Sequence, residues 1–474
     1  MKKTMKTKLL INTLIKHKTL PLPYLHEKHV CKATAAKFYL LTALMAQLIL
    51  FFPGISNGLT IEEAVGLALK NNAELQKQQM NLGFSQEELD DQKSQQFGKF
   101  DVVANYGHYN NPRTLTPLTP NAIIGDPGGV PTTEDLFSTG IMYEVPLFTG
   151  FAQQRSIEIA ELEKEMAGVA IKLSKEQLIY NVKTLYVNIL SRQAQKKAQQ
   201  DHYKALKYLR NDIALQVKLG KKARVDELKA AADQENARLK VRRSEADIKI
   251  MKASLSVLLN SEINSNLENS TMKIEKLKDI KNDKDYTQLE RYRSTVLDVE
   301  KSTRLEEKSD ASYYPEIGLT AYYGQNYGPN DDSNDFDGDW GNEEDWMVGV
   351  NLKWTLHDFG SRKAAKSKAV IRRMQSQKDK MTTELEIQKS LKEAAIKIQL
   401  AIDSYHSAQS ELALTRETER IEQIRYKKGA ADMDDLLYAK ARNQVALSHS
   451  IVTRYDYQSS RFFLDYLLEK GEYK

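Results

Sequence analysis

Residues 346–356, WMVGVNLKWTL, alternate strictly between apolar and small or polar positions. Every second residue from Trp346 to Leu356 is apolar, and tryptophans stand near both ends of the segment. A period of two is typical of a β-strand whose two faces have different surroundings. We therefore predict a strand over 346–356. Similar alternation predicts three more strands, at about 99–109, 140–148 and 316–327, with loops at 110–139 and 328–345 between them.

Two long stretches, residues 151–219 and 361–428, contain no proline and only a single glycine. Helix interiors exclude both residue types, so each stretch predicts one helix of about 100 Å at 1.5 Å per residue. Shorter helices are predicted to follow, at about 224–258 and 432–470. In the second long helix, apolar residues succeed one another at intervals of three and four, which is typical of a coiled-coil seam. They are Leu391, Ala394, Ile398, Ala401, Tyr405, Ala408 and Leu412.

The two halves of the chain repeat each other at a constant offset of 209 residues. This offset aligns QVKLGKKARVDEL with RYKKGAADMDDLL, so that Gly220 meets Gly429 and Asp226 meets Asp435. We predict two structural repeats, 58–272 and 273–474, with glycine turns near 220 and 429. Each repeat holds an opening helix, two strands, a long helix, a turn and a shorter helix.

The first opening helix is predicted to start within residues 59–75, and its counterpart is predicted near 286–310. Thr60 and Glu63 have the spacing of a capping box at the start of the first. The predicted fold is therefore mainly α, with very long antiparallel helices and four strands.

The first 57 residues differ from the rest of the chain. They contain nine lysines, no arginine and one acidic residue, followed by an apolar run at 38–52 and then proline, glycine and serine. This order is typical of a secretory signal peptide. The alternative is a membrane anchor, although fifteen residues are short for a bilayer core of roughly 30 Å.

Without residues 1–57, 60 basic and 63 acidic residues remain, so the net charge of +5 belongs to the targeting segment. No nucleic-acid partner is therefore expected. The single cysteine, Cys31, also lies in this segment, so we expect no disulfide in the remainder. A charged fraction of 28% and a mean hydropathy of −0.55 suit long solvated helices better than one large core.

The apolar faces of the predicted strands must contact another apolar surface. One alternative is a soluble hairpin packed on helices, but helices as charged as 151–219 could not bury such a face and stay solvated. Trp346 and Trp354 are eight residues apart, roughly 20 Å along a membrane normal for a strand tilted near 40°. We predict that this face contacts outer-membrane lipid, with Trp346, Trp354 and Tyr143 in the aromatic girdles.

Backbone polar groups in lipid need partners, so a sheet in the membrane must close on itself. Four strands cannot close, because the smallest such barrels have eight. Several copies of the chain are therefore predicted to share one barrel.

The chain from about 59 to 470 resembles the TolC family of outer-membrane efflux and secretion channels. The resemblance rests on LTIEEAVGLALKNNAEL, on the strand-to-helix junctions VPLFTG and LHDFG, and on the two glycine turns. It implies a homotrimer with a shared 12-stranded barrel in the outer membrane and a 12-helix tunnel across the periplasm. It also implies a periplasmic adaptor protein at the glycine turns and an inner-membrane transporter of RND or ABC type, with no cofactor.

The resemblance also places the two glycine turns at the periplasmic tip of the tunnel and suggests roles for residues near them. In the family, an aspartate six after the first glycine bonds a tyrosine three before the second, which here are Asp226 and Tyr426. Three copies of Asp435 would form an acidic ring. Two positions depart from the pattern, since Tyr438 replaces a second ring acid and Ala431 replaces an arginine. The alternative is that both glycines are ordinary helix caps and both aspartates plain helix-start acids.

No catalytic chemistry is predicted. The histidines after residue 57 are scattered, without partners at metal-ligand spacing, and no phosphate-binding glycine loop occurs. Asp335, Asp337 and Glu344 have EF-hand offsets, but Ser333 replaces the first aspartate and strands flank the segment. A weak calcium site competes there with a solvated exterior loop.

The favoured function is a trimeric exit duct in the outer membrane, with a periplasmic extension that is gated at its tip. The alternative is a structural or adhesive coiled-coil surface protein that conducts nothing. Drug efflux and protein secretion stay equally open, because the pump selects the cargo.

Overall fold

The computed structural model describes residues 58–125, 130–263, 265–270, 272–275, 286–329 and 340–471. The predicted signal peptide, residues 1–57, lies outside this part of the chain, as do Asp335 and Asp337. Within the described ranges, no helix is both long enough and apolar enough to cross a membrane.

The first half begins with β1 (Gly58–Leu59), α1 (Ile61–Asn71) and α2 (Ala73–Ser94), and continues with β2 (Lys99–Thr114), the short α3 (Pro120–Gly125) and β3 (Thr132–Phe148). It ends with the long α4 (Ala152–Lys218) and α5 (Arg224–Leu259). The second half contains β4 (Asn266–Leu267), α6 (Glu290–Ser309), β5 (Glu316–Pro329), β6 (Trp340–Lys353), the long α7 (Ser361–Lys427) and α8 (Met433–Leu467). The order of elements confirms the duplicated fold, while the boundary at 272/273 stays a prediction.

The predicted capping box at the first helix is present. Thr60 Oγ1 accepts a hydrogen bond from the Glu63 amide at 3.1 Å, and Glu63 Oε2 accepts one from the Thr60 amide at 3.0 Å. The opening helix starts within 59–75 as predicted, but it breaks at Asn72 and continues as α2 to Ser94. The Asn72 backbone is extended, and its side chain accepts from the Leu75 amide at 3.1 Å to cap α2.

The strands differ from the prediction mainly at their upper ends, meaning the ends at Thr114, Thr132, Pro329 and Trp340. Much of the predicted loop 110–139 is strand, and β6 begins at Trp340 and ends at Lys353. Trp354 therefore lies just past the strand that was predicted to contain it, and its indole Nε1 donates to the Tyr313 carbonyl at 3.2 Å. The alternation of apolar and polar residues did not predict these strand ends, because polar residues occupy both faces of the sheet there.

The four long strands form one antiparallel sheet in the order β2-β3-β5-β6. Its register places apolar side chains in rows that cross all four strands on one face. One row is Val102, Ile141, Tyr323 and Trp346, and the next is Phe100, Tyr143, Ala321 and Val348. The opposite face is polar, with Lys99 Nζ 2.9 Å from Asp101 and 3.4 Å from Glu144. The sheet thus has one apolar face and one polar face.

The helices pack in pairs along seams of small and apolar residues. Ala394, Ile398 and Ala401 of the predicted seam in α7 are buried together with Tyr457 and Leu464 of α8. A larger core surrounds α4, where the buried Tyr186 hydroxyl shares its one proton between the carbonyls of Leu59 at 2.6 Å and Glu268 at 2.8 Å. Tyr186 thereby fixes the small parallel pair of β1 and β4.

Candidate functional site

Both glycine turns have the same backbone geometry. Gly220 has a φ of 69° and Gly429 a φ of 76°, in the left-handed region that favours glycine. In each turn the residue after the glycine donates its amide to the carbonyl five positions earlier, which is the Schellman motif. These bonds join Lys221 to Gln216 and Ala430 to Arg425, each at 2.8 Å. The repeat seen in the sequence is therefore a repeat of helix ends.

The two aspartates occupy equivalent places after these turns. Asp226 is the third residue of α5 and Asp435 the third residue of α8. The Asp435 amide is bonded by the side chain of Asp432, which caps α8 at 2.8 Å, whereas α5 starts after Ala223 without a side-chain cap. Both carboxylates lie at the positive end of a helix, as the alternative of helix-start acids requires.

Tyr426 is buried at the end of α7, in a cluster that includes Ile213 of α4 and Leu436 of α8. Its hydroxyl has no hydrogen-bond partner in the described part of the chain. The Lys222 ammonium lies over the ring face, 4.0 Å from the centroid, in the position of a cation–π partner. Burial raises the pKa of Tyr426, Lys222 opposes the rise, and the nearby Asp226 carboxylate adds to it.

The hydrogen bond expected between Asp226 and Tyr426 is therefore absent from this structure, although the two groups are close enough to influence each other. A different pair joins the two repeats here. Lys229 Nζ of α5 lies 2.6 Å from Asp434 Oδ2 of α8, and hydrogen bonding to that carboxylate raises the pKa of Lys229. No sequence pattern predicts this pair, because it depends on how α5 and α8 lie side by side.

Two further predicted tip residues lie on the surface of α8. Tyr438 is 68% exposed and Asp435 is also exposed, so both are available to a neighbouring chain. The predicted ring of three Asp435 side chains needs other copies of the chain, and it stays a prediction.

The predicted girdle residues lie on or beside the apolar face of the sheet. Trp346 and Trp354 are 68% and 54% exposed. Tyr143 stacks on Phe100 with ring centroids 4.4 Å apart, and its hydroxyl donates to the Phe97 carbonyl at 2.8 Å.

Of the three candidate calcium ligands, only Glu344 lies in the part of the chain that the structure describes. Glu344 lies within β6, on the apolar face and opposite Gln325, so the expectation that it belongs to a loop is wrong. Asp335 and Asp337 lie outside the described residues. Within the ranges that are described, no group of three metal-ligating side chains occurs.

The junctions between strand and long helix contain a feature that alternation and helix periodicity could not predict. Gly150 and Phe151 are both left-handed, with φ of 61° and 70°, and so are Phe359 and Gly360, with φ of 54° and 96°. At the 209-residue offset, glycine and phenylalanine exchange places. The sharp reversal therefore needs two left-handed residues, and only one of each pair is glycine.

Residues 64–261 and 294–468, most of the chain, match the family model for outer membrane efflux proteins. The chain belongs to this family. Among curated proteins, none matches the sequence at a significant level.

Solved structures share the fold of this outer membrane efflux protein. The CmeC outer membrane channel of Campylobacter jejuni has a TM-score of 0.73 at 17% identity, covering 88% of this chain and 86% of that one. The outer membrane protein VceC of Vibrio cholerae has a TM-score of 0.70 at 13% identity, covering 86% and 96%. The open state of the Neisseria gonorrhoeae MtrE channel has a TM-score of 0.70 at 15% identity, covering 86% and 88%. Membership in this family of channels identifies the chain as a transport protein and not an enzyme.

Proposed function

We propose that the chain is one subunit of a homotrimeric duct, with its sheet in the outer membrane and its long helices extending through the periplasm. The observation that carries this proposal is the continuous apolar face of the sheet, combined with edges at β2 and β6 that pair with no further strand among the described residues. Backbone groups at those edges need partners in lipid, and sister chains supply them when β6 of one copy meets β2 of the next.

The helices support assembly as well. Several apolar side chains of α7 are exposed in the single chain although the helix is otherwise strongly charged. They include Ile371, Met374, Met381, Leu385, Ile396, Leu400 and Leu414. These positions lie apart from the seam that packs on α8, so they offer a second surface on which neighbouring subunits pack.

The end of the molecule at Gly220 and Gly429 is the proposed gate and docking site. Here α5 and α8 approach through the pair of Lys229 and Asp434 and through the cluster around Tyr426. A periplasmic adaptor would bind this end and connect the duct to an inner-membrane transporter of RND or ABC type. Movement of one repeat against the other would then change the width of the opening.

The decisive experiment is planar-bilayer recording on protein extracted from outer membranes, together with its mass in detergent. A trimeric mass and discrete single-channel openings are expected. A protein of trimeric mass that never conducts would instead favour a structural or adhesive surface protein, and a monomer soluble without detergent would refute the duct altogether.

A further inference from the structure

The β2–β3 hairpin leaves its regular register near its upper end. Pairing shifts between His108 and Arg113, after which Arg113 pairs with Thr133. Just beyond the shift, Leu115 and Thr133 are fully buried, although the residues on either side of each in the chain are only partly buried. A packing surface must therefore cover these two side chains.

That surface is a pair of glycines on the neighbouring strands. Gly328 of β5 lies directly opposite Gly341 of β6. A Cβ added to Gly341 would lie 2.5 Å from Leu115 Cδ1, and one added to Gly328 would lie 2.5 Å from Thr133 Oγ1. The two glycines thus form a notch in which Leu115 and Thr133 sit, and any larger residue would displace them.

The notch lies on the polar face of the sheet. Gly328 and Gly341 alternate with the apolar-face residues Tyr327 and Trp340, so their missing side chains would point to the opposite side.

Hydrogen bonds hold the hairpin end over this face. Asn326, also on the polar face, donates its Nδ2 to the Leu115 carbonyl at 2.8 Å, and its Oδ1 accepts from the Ser138 hydroxyl at 2.7 Å. The Leu115 amide donates to the Pro131 carbonyl at 3.1 Å, which closes the base of the connecting segment. Leu115 and Pro131 are therefore held together over the polar face.

From this geometry we infer that the chain at Leu115 and Thr133 lies inside the duct and narrows its outer mouth, with Leu115 in the glycine notch as its anchor. The inference rests on the proposed function, in which the polar face lines the duct. In a trimer, three copies of Leu115 and Thr133 line the duct at one level. They set the largest cross-section of cargo that leaves the channel, independently of the periplasmic tip.

Single-channel conductance of Gly341→Val tests this role. Valine fills the notch and unseats Leu115, so the conductance rises. Gly349→Val is the matched control, because Gly349 lies on the same face of β6 and a Cβ there would meet nothing within 4 Å. That control adds the same bulk to the duct wall without touching the hairpin, so its conductance does not rise.

Disulfide crosslinking in cells tests whether Leu115 lies in the glycine notch. Leu115→Cys combined with Gly341→Cys should crosslink on mild oxidation, whereas Leu115→Cys combined with Gly349→Cys should not. Failure of the first pair to crosslink, or unchanged conductance of Gly341→Val, overturns the inference. If the unaltered protein shows no conductance at all, both the proposed duct and the proposed narrowing of its mouth are refuted. The crosslink still reports, in that case, whether Leu115 lies next to Gly341.

Discussion

Lys229 and Asp434 form an ion pair of 2.6 Å between α5 of the first repeat and α8 of the second. The bond expected between Asp226 and Tyr426 is not made, because the Tyr426 hydroxyl has no hydrogen-bond partner among the described residues. The pair therefore lies where a latch of the proposed gate would act, close to both glycine turns.

Removing the charge of Lys229 is expected to favour the open tip. In Lys229→Met, Asp434 loses its partner and remains near Asp226 and Asp432, all of which are negative. Repulsion among these carboxylates would separate α5 from α8. The measurement is single-channel conductance or open probability, which should rise. Because both side chains are exposed, the effect should shrink as salt concentration increases.

A charge exchange separates a specific pair from a general charge effect. The double variant Lys229→Asp with Asp434→Lys should return the conductance toward the original value. Lys204→Met is the control, because the Lys204–Asp201 pair lies within α4 and joins no two helices. If Lys229→Met and Lys204→Met change the conductance equally, the latch does not exist.

The glycine turns are expected to tolerate only residues that accept a left-handed backbone. Gly220→Ala has free space around the new Cβ, so its whole cost is the left-handed conformation, about 1 kcal/mol. Gly220→Asn should cost less, since asparagine enters this region more readily. Amide hydrogen exchange at 215–226 should accelerate in the alanine variant and less in the asparagine variant.

Gly168 supplies the matched control for this substitution. It lies inside α4 without a positive φ, and a Cβ there also meets nothing within 4 Å. Gly168→Ala should therefore stabilise the helix, by up to about 1 kcal/mol. Equal destabilisation by both alanine substitutions would show that the turn geometry is not the cause.

The long helices and the glycine turns could be predicted from the sequence, because proline-free stretches of more than sixty residues end at Gly220 and Gly429. The fold class follows from them and from the 209-residue offset. The upper ends of the strands could not be predicted, since segments such as 110–114 are polar on both faces. Side chains from distant elements meet there, as Leu115 and Gly341 do.

The residues of the tip show the same limit. The 209-residue offset identifies equivalent positions in the two repeats, such as Lys229 and Tyr438, and not residues in contact. The residue that Lys229 contacts is Asp434. The packing of α5 against α8 decides which residue pairs with Lys229, and the sequence of one helix alone does not show it. By contrast, the positions of Asp226 and Asp435 within their helices follow directly from the glycine turns.

The three tryptophans should report the position of the membrane. Trp346 and Trp354 belong to the proposed girdles, whereas Trp340 lies beyond a row that contains Glu344 and Gln325 on the same face. A charged row is unfavourable within the apolar band, so the band should end near Trp346. Trp340 packs instead on Phe137, with ring centroids 5.4 Å apart.

Variants that keep a single tryptophan, with phenylalanine at the other two positions, test this arrangement by fluorescence in lipid vesicles. Bromine near the lipid headgroups should quench Trp346 and Trp354 strongly, while Trp340 should respond to aqueous iodide. Stronger quenching of Trp346 by bromine at the chain ends than near the headgroups would place it in the middle of the membrane and contradict the girdle.

His202 gives the helical region a predictable response to acid. Burial, followed by the positive charge of Lys440 on α8, lowers its pKa from 6.5 to about 4. Lys240 on α5 acts in the same direction, and Glu419 on α7 opposes it. The unfolded chain therefore binds a proton between pH 6.5 and 4 that the folded chain does not bind.

Stability should consequently be highest above pH 6.5 and fall as the pH is lowered toward 4, by at most on the order of 3 kcal/mol for this one group. In thermal melts between pH 7.5 and 5, the midpoint of the unaltered protein should drop more than that of His202→Gln, which has no proton to gain. His406→Gln, a change at an exposed histidine of α7, should keep the original pH dependence. Identical slopes for His202→Gln and the unaltered protein would mean that His202 is protonated as easily in the folded chain as in the unfolded one, and that its burial has no effect on its charge.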